Sequence, residues 1–209
     1  MVSLPPPVAL SSISASSGSK TSHKPPTHRV AIAISVIRFS SSETAHLIVN
    51  SLNKKGDVLG VARIAGISGA KETSRLIPLC HNILISGVEM NVEVVEGAAN
   101  VEDAADADQN QPLAADEKEA SLSPILSREK AQLATARGGV VITARVHTFG
   151  QTGVEMEALT AASLAGLTVY DMCKAVDKGM RMDGVRVVLK SGGGSGNWIE
   201  NEHGVIEKQ

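Results

Sequence analysis

Four charged side chains stand out in the largely apolar stretch from Gly153 to Lys178: Glu155, Glu157, Asp171 and Lys174. Asp171 and Lys174 are three positions apart, so a helix places them on one face. Such a pair is either an ordinary surface ion pair or, where it is partly buried, an acid–base pair that exchanges protons with a substrate. Because its surroundings are apolar, this pair is better suited to acid–base chemistry than an average i, i+3 ion pair is.

The length of this predicted helix limits what its charges can do together. Glu157 and Asp171 are 14 positions apart, which is roughly 21 Å along a helix axis. They cannot meet on one small substrate within one chain, so a site that uses both must combine the helices of two subunits. A helix with apolar residues on every side must also be buried on every side. Contact with a partner subunit is the simplest way to bury the side that does not face the sheet.

Other candidate residues are each open to two interpretations. The segment Lys54–Asp57 places amines before a predicted helix, either as an anion site or as solvated charges. His81 is either a catalyst or a core or capping residue, and Arg29 has the same two interpretations. The segment Lys190–Gly196 either wraps a phosphate through its N–H groups or is a flexible linker, and it lacks the order of a Walker loop.

The composition excludes several classes of protein. Lys and Arg number 20 against 22 Asp and Glu, and aromatic residues make up 2% of the chain, so we expect no nucleic-acid partner. The longest apolar stretch near the start, Val30–Ile37, is far shorter than the roughly 20 residues of a membrane span. Cys80 and Cys173 form no CxxC pair, which predicts reduced thiols in an intracellular protein and no metal site.

The chain is predicted to contain one domain at residues 28–196. Residues 1–27 form a Ser/Pro-rich leader expected to be disordered; its basic residues are equally compatible with mitochondrial import, so the mitochondrial matrix and the cytoplasm both stay open. Residues 97–137 form an acidic, solvated insertion at the tip of a β-hairpin, and residues 197–209 a C-terminal tail.

The predicted order of elements is strand, two helices, two strands, helix and strand, which indicates an α+β fold with helices on one face of an antiparallel sheet. Ser41 or Ser42 is expected to cap the first helix, and glycines within the second helix predict close approach of another backbone. The predicted strands are Arg29–Phe39, Ile83–Val95, Gly139–Phe149 and Val185–Leu189; helices are predicted from Ser42, from Val58 to before Pro78, within Pro124–Ala136 and over Gly153–Lys178.

Four segments in this order resemble the cyclic pyranopterin monophosphate synthase family of molybdenum cofactor biosynthesis. They are KKGDVLGVARIAGISGAK, LIPLCH, QTGVEMEALTAASLAGLTVYDMCKAV and LKSGGGSG. The resemblance extends over roughly residues 25–196, apart from the acidic insertion. It implies a ferredoxin-like fold, assembled as a homohexamer (a trimer of dimers) with active sites between subunits.

The resemblance also implies an activity: conversion of (8S)-3′,8-cyclo-7,8-dihydroguanosine 5′-triphosphate to cyclic pyranopterin monophosphate, with release of diphosphate. It implies catalytic roles for Asp171, Lys174 and Lys55. It implies substrate-binding roles for Leu79, Cys80, His81, Met156, Glu157, Glu155, Arg29 and Lys190. No cofactor is required, and whether a divalent ion accompanies the triphosphate stays open.

Two segments depart from the pattern of that family. The chain lacks the Met-Val-Asp-Val segment that usually precedes the first strand, and Gly194 replaces a lysine in the glycine loop. Lys190 would then have to neutralise the phosphates in that loop. The alternative from another class of protein is a non-catalytic, ferredoxin-like module that binds a nucleotide, which would not need a carboxylate and an amine paired on an apolar helix.

Overall fold

The computed structural model describes residues 25–98 and 121–209. Its strands are β1 (Thr27–Arg38), β2 (Gly87–Val95), β3 (Gly139–Gly150), β4 (Arg181–Ser191), β5 (Trp198–Glu200) and β6 (Ile206–Lys208). Its helices are α1 (Ser42–Val49), α2 (Val58–Leu76), α3 (Ser123–Ala134) and α4 (Glu155–Cys173). The predicted leader lies largely outside the described residues, as does the part of the insertion at 99–120. No helix in the described ranges is long and apolar enough to cross a membrane.

The strands form one six-stranded sheet in the order β2-β3-β1-β4-β5-β6, with each neighbouring pair antiparallel. The central strand β1 pairs with β3 from Thr27 opposite Gly150 to Arg38 opposite Gly139. β2 and β3 form the predicted hairpin, with the insertion at its tip. The α+β class is therefore confirmed.

The two faces of the sheet carry different helices. On one face, Ala31 and Ala33 of β1 share a buried apolar cluster with residues of α1, α2 and α4. On the other face, Ile32 and Ile34 pack against Leu122 and Ile125 at the start of α3. The expectation of helices on one face only is thus wrong for α3, and β1 is buried on both faces rather than one.

Two glycines let α2 approach α4 closely. A Cβ atom at Gly66 would lie 3.1 Å from the carbonyl oxygen of Ala161, and one at Gly69 would lie 3.3 Å from that of Thr160. The predicted close approach of a backbone is confirmed at these two positions. At Gly60 a Cβ would instead meet the side chain of Asp57, which caps α2.

The residues expected to form a C-terminal tail instead extend the sheet through β5 and β6. Glu200 of β5 is buried and accepts hydrogen bonds from Arg186 of β4 (2.6 Å to Oε2) and from Arg128 of α3 (2.9 Å to Oε1). Arg186 also lies 3.0 Å from Glu129 of α3. This network fixes the insertion helix and the C-terminal strands to one another.

Candidate active site

The first group of predicted site residues, Lys55, Asp171 and Lys174, forms an amine–carboxylate cluster. Lys55 Nζ lies 2.6 Å from Asp171 Oδ2, and Lys174 Nζ lies 2.5 Å from Asp171 Oδ1. Lys55 Nζ also donates to the main-chain carbonyl of Asp171 at 2.9 Å. Each carboxylate oxygen therefore has its own amine, and all three side chains are about half exposed.

Local structure explains how these residues meet. Asp171 lies in the last turn of α4 and Lys174 is its C-cap, so they are neighbours at i and i+3. Lys55 precedes α2, which runs antiparallel to α4 and is packed along it. The start of α2 therefore lies beside the end of α4. The N-terminus of α2 is capped by Asp57, whose Oδ1 accepts the N–H of Gly60 at 2.9 Å.

The amines control the protonation of the carboxyl group. The hydrogen bond from Lys174, followed by that from Lys55, lowers the pKa of Asp171 to about 2. The hydrogen bond to Asp171 in turn raises the pKa of Lys174. At neutral pH the cluster therefore holds an ionised carboxylate, which can accept a proton, beside an ammonium group, which can donate one.

Tyr170, Ala175 and Lys178 join the cluster in lining a surface depression of about 440 Å³. The Tyr170 hydroxyl donates to the carbonyl of Lys178 at 3.3 Å. Sequence reasoning missed Tyr170 and Lys178, and helical spacing could not have placed Lys178, because α4 ends at Cys173. Three lysines and one aspartate give this depression a net positive charge suited to an anionic ligand.

A second group of predicted residues gathers at the other end of α4. Lys190 Nζ lies 3.4 Å from Glu155 Oε1, and Lys190 also donates to the hydroxyl of Ser195. Arg29 is buried, and its Nε donates to the carbonyl of Gly150 at 2.8 Å. We call Arg29, Glu155 and Lys190 the arginine–lysine cluster.

The glycine loop after β4 packs against this cluster. Gly192 and Gly193 have φ angles of +92° and +84°, which favour glycine. A Cβ atom at Gly192 would overlap the main-chain carbonyl of His28, so glycine is also required there by space, and one at Gly193 would displace the guanidinium group of Arg29. Gly194 faces open space. The departure from the family pattern at that position therefore leaves the loop without a lysine and without strain.

Glu157 and Cys80 form a further pair near the start of α4. Glu157 is 3% exposed, and within the described part of the chain its Oε2 atom has no hydrogen-bond partner. Burial raises the pKa of Glu157 above its ordinary value. A backbone hydrogen bond acts against this shift, and the negative charge of Glu155 adds to it. Burial and the negative charge of Glu157 raise the pKa of the Cys80 thiol. Cys80 therefore stays a thiol, and Glu157 retains a proton more readily than an exposed glutamate does.

Three of the predicted substrate-binding residues project from the surface. Leu79 is 92% exposed, and His81 and Met156 are also exposed. Leu84, in the same loop as Leu79 and His81, is 89% exposed. Within one chain this loop has apolar side chains that contact little of the described structure.

The structure therefore assembles the predicted residues into groups at the two ends of one helix. Glu155 and Asp171 are separated by 16 positions of α4, or roughly 24 Å along its axis. Lys55 joins the C-terminal end, whereas Arg29, Lys190 and Cys80 join the N-terminal end. Among the described residues no group of three or more His, Cys, Asp or Glu side chains could hold a metal ion.

Comparison with known proteins shows which family the chain resembles in sequence. The chain is 44% identical over 177 residues to proteins named cyclic pyranopterin monophosphate synthase from three strains of the bacterium Cereibacter sphaeroides. The match covers 85% of this chain and 86% of each relative. A sequence profile of the MoaC family matches residues 19–193, a range that contains every predicted site residue. The chain belongs to the MoaC family.

Proposed function

We propose that this protein is a lyase of molybdenum cofactor biosynthesis, which converts (8S)-3′,8-cyclo-7,8-dihydroguanosine 5′-triphosphate to cyclic pyranopterin monophosphate and diphosphate. The observation that carries the proposal is the amine–carboxylate cluster, in which Asp171 accepts hydrogen bonds from both Lys55 and Lys174. The family membership and the name of the relatives agree with it.

The rearrangement has two requirements. Some groups must transfer protons, and cations must neutralise the phosphates. The five-membered ring of the purine opens, the pterin ring closes, and a ribose-derived hydroxyl attacks the α-phosphorus as diphosphate leaves. The Asp171 carboxylate accepts a proton, and the Lys174 ammonium donates one. Lys55 and Lys174 also stabilise the negative charge that develops on the phosphate oxygens.

The substrate itself adjusts the strength of Asp171 as a base. With a pKa of about 2, the free carboxylate is a weak base at neutral pH. A bound triphosphate competes for the amines of Lys55 and Lys174, which weakens their hold on the carboxylate. The pKa of Asp171 therefore rises when substrate binds, at the moment when a stronger base is required.

We further propose a ferredoxin-like homohexamer, a trimer of dimers, in which each active site combines the two ends of α4 from different subunits. The order β2-β3-β1-β4, with helices between β1 and β2 and between β3 and β4, agrees with a ferredoxin-like core. The surfaces of α2 and α4 expose Ile64 and Leu167, both more than half accessible. The unpartnered oxygen of Glu157 would gain a donor from a neighbouring subunit or from substrate.

The remaining site residues follow from the same arrangement. Leu79, Cys80, His81, Met156 and Glu157 would contact the base, while Arg29, Lys190 and the glycine loop would bind phosphate, with Glu155 orienting Lys190. The reaction as proposed needs no resident cofactor, and any divalent ion would arrive with the triphosphate. An intracellular location, in the cytoplasm or the mitochondrial matrix, stays a prediction.

The test is direct turnover. Purified protein is incubated with the cyclic dihydroguanosine triphosphate, and the product is oxidised and measured as a fluorescent pterin. Turnover by the native chain, lost in Asp171→Asn and Lys174→Ala, is the expected result. Unchanged turnover in both variants would remove the cluster from the mechanism, and no turnover in the native chain would favour a non-catalytic nucleotide-binding module.

A further inference from the structure

Asn53 lies between the two elements that build the amine–carboxylate cluster. Its Oδ1 accepts the main-chain N–H of Lys55 at 2.9 Å. Its Nδ2 donates to the carbonyl of Met172 at 3.2 Å and approaches the Cys173 sulfur at 3.6 Å. One side-chain amide thus contacts both the backbone of Lys55 and the last turn of α4.

The segment that carries Lys55 depends on this amide for its place. Gly56 N–H donates to the carbonyl of Asn53 at 3.0 Å, and Gly56 has a φ angle of +91°, so residues 53–56 form a tight turn. The Oδ1 bond stabilises the turn in the manner of an Asx-turn. The Nδ2 bonds are different in kind, because they tie the turn to α4 over 119 residues of sequence.

Both acceptors on α4 adjoin Asp171. Met172 and Cys173 directly follow it, and the free carbonyls of the last helical turn need donors from outside the helix. Burial, then the charge of Asp177, raises the pKa of Cys173 to about 11, although Lys55 opposes this. The sulfur is therefore a neutral thiol that can accept the weak bond.

We propose that Asn53 is a positioning residue for catalysis, which holds the backbone of Lys55 against the end of α4 so that the Lys55 amine reaches Asp171. The inference rests on the proposed function and deepens it, since Asn53 itself touches no reacting atom. Lysine has a flexible side chain with four rotatable bonds, so its amine stays beside Asp171 only while the backbone of Lys55 is held close to the end of α4. Releasing that backbone displaces the amine and weakens catalysis.

A double-mutant cycle tests whether Asn53 acts through Lys55. Asn53→Ala is expected to lower kcat/KM by roughly 10- to 100-fold, the effect of a misplacement of about 1 Å. In the Lys55→Met background the same change is expected to alter kcat/KM by no more than about twofold. Losses that multiply across the two positions would overturn the proposal, because they would show that Asn53 acts independently of Lys55.

Two further variants separate the turn from the bridge. Asn53→Ser keeps an acceptor for the Lys55 N–H but is too short to reach Met172, so it is expected to lose as much activity as Asn53→Ala. Activity at the native level in Asn53→Ser would assign Asn53 to the turn alone. Asn50→Ala is the matched control, since the amide of Asn50 donates to His46 at the end of α1 and not to α4.

A measurement without substrate keeps this inference distinct from the proposed activity. The rates of acetylation of Lys55 and of its exposed neighbour Lys54 are compared by mass spectrometry in the folded protein. Lys55, whose Nζ is engaged by the carboxylate and the main-chain carbonyl of Asp171, should react more slowly than Lys54, and both Asn53→Ala and Asp171→Asn should raise its relative rate several-fold. An unchanged ratio in Asn53→Ala would contradict the proposal, whether or not the native chain turns over its substrate.

Discussion

The Nζ atom of Lys55 lies 2.6 Å from Oδ2 of Asp171, although 116 residues separate them along the chain. The contact joins the turn before α2 to the end of α4, and the antiparallel packing of these two helices determines it. With Lys174 on the other carboxylate oxygen, Asp171 has an amine from each of two elements. The pKa of Asp171 therefore depends on how the turn before α2 and the end of α4 are positioned relative to each other.

Asp171→Asn should abolish most turnover while leaving the fold intact. General acid–base groups contribute roughly 10²- to 10⁴-fold, so a loss of that size in kcat is expected. The melting temperature should not change, because the side chain is half exposed. Glu72→Gln on α2 is the matched control, as Glu72 forms an exposed i, i+3 pair with Arg75 and should keep full activity. Equal effects of the two variants would contradict the assignment.

The pH profile should differ between kcat and kcat/KM. The pKa of Asp171 is about 2 in the free protein and is expected to rise when substrate phosphates draw its amines away. A base is active only when it is ionised, so each rate constant falls as the pH drops through the pKa of Asp171. This fall should occur at a higher pH for kcat, which reports the substrate complex, than for kcat/KM, which reports the free protein. Lys55→Met should narrow the difference. Coincident acid limbs in the native protein would argue against competition for the amines.

Mixing two inactive variants tests the shared site. Glu157→Gln and Asp171→Asn each damage one end of α4. If a site combines ends from different subunits, mixed oligomers contain some sites with both native groups, and part of the activity should return. Native mass spectrometry would verify that subunits have exchanged. Exchange without recovered turnover would contradict intersubunit sites.

Asp177 should stabilise the fold in a pH-dependent way. It is buried and accepts N–H bonds from Ser40 (2.7 Å), Ser41 (3.2 Å) and Gly179 (3.0 Å), which joins the turn after α4 to the start of α1. Burial acts to raise the pKa of Asp177. These bonds and the bond from the Ser40 hydroxyl outweigh that effect and hold the pKa below its ordinary value. Asp177→Ala leaves these donors unsatisfied and should cost about 2–3 kcal/mol of unfolding free energy at pH 7.

Since the folded-state pKa is lowered, the stabilisation by Asp177 is complete above the ordinary aspartate value and is lost as pH falls through the lower one. Urea denaturation at a series of pH values should therefore show the difference between native protein and Asp177→Ala shrinking only in acid. The exposed Asp183, which pairs with Arg38, provides the control Asp183→Asn. A difference that stays constant down to the lowest pH would contradict the role of the ionised carboxylate.

Gly66→Ala should destabilise the protein although alanine favours helices. The intrinsic gain is about 1 kcal/mol, but the new methyl group would lie 3.1 Å from the Ala161 carbonyl and closer still to the end of the flexible Met90 side chain. Forcing α2 from α4 should cost roughly 1–3 kcal/mol, measured by urea denaturation. Ser68→Ala, at an exposed position of the same helix, should be neutral or stabilising. An increase in unfolding free energy for Gly66→Ala would show instead that α4 moves aside to accommodate the methyl group.

The strands and the long helix could be predicted from local patterns, whereas the side of the sheet that α3 covers could not. Continuous burial of β1 has a signal in its sequence, since Ala31 and Ala33 alternate with the larger Ile32 and Ile34. Such a run without polar residues is typical of a strand buried on both faces. An alternation between small and large residues does not say which helix covers which face, so α3 was placed only by the structure.

The C-terminal strands had a signal that the glycine loop obscured. Asn201–Gly204 lies between two short runs with β-forming residues, which is the pattern of a hairpin. Their attachment depends on Glu200, Arg186 and Arg128, which come from three separate elements. Contacts of this kind are set by the tertiary fold and leave no periodicity.

The candidate site was predictable in part. The spacing of Asp171 and Lys174 placed them together, and the separation from Glu157 followed from helix geometry. Lys55 joined them in the prediction only through the resemblance to a family, because no spacing rule connects residues on different helices. The role of Asn53 carried no signal in the sequence, since the bonds from its Nδ2 to Met172 and Cys173 join segments that meet only in the folded chain.

The outer edges of the sheet restrict how copies of this protein can associate. β6 is three residues long, all three of them exposed, and carries Glu207 and Lys208. At the other edge, β2 carries Glu89 and Glu93, and Arg63 of α2 donates to the carbonyl of Val92 at 3.1 Å. Short or charged edges resist the addition of foreign strands. The proposed assembly would then use side-chain surfaces on the helices, and the short or charged edges of the sheet would oppose the strand-to-strand growth that leads to fibres.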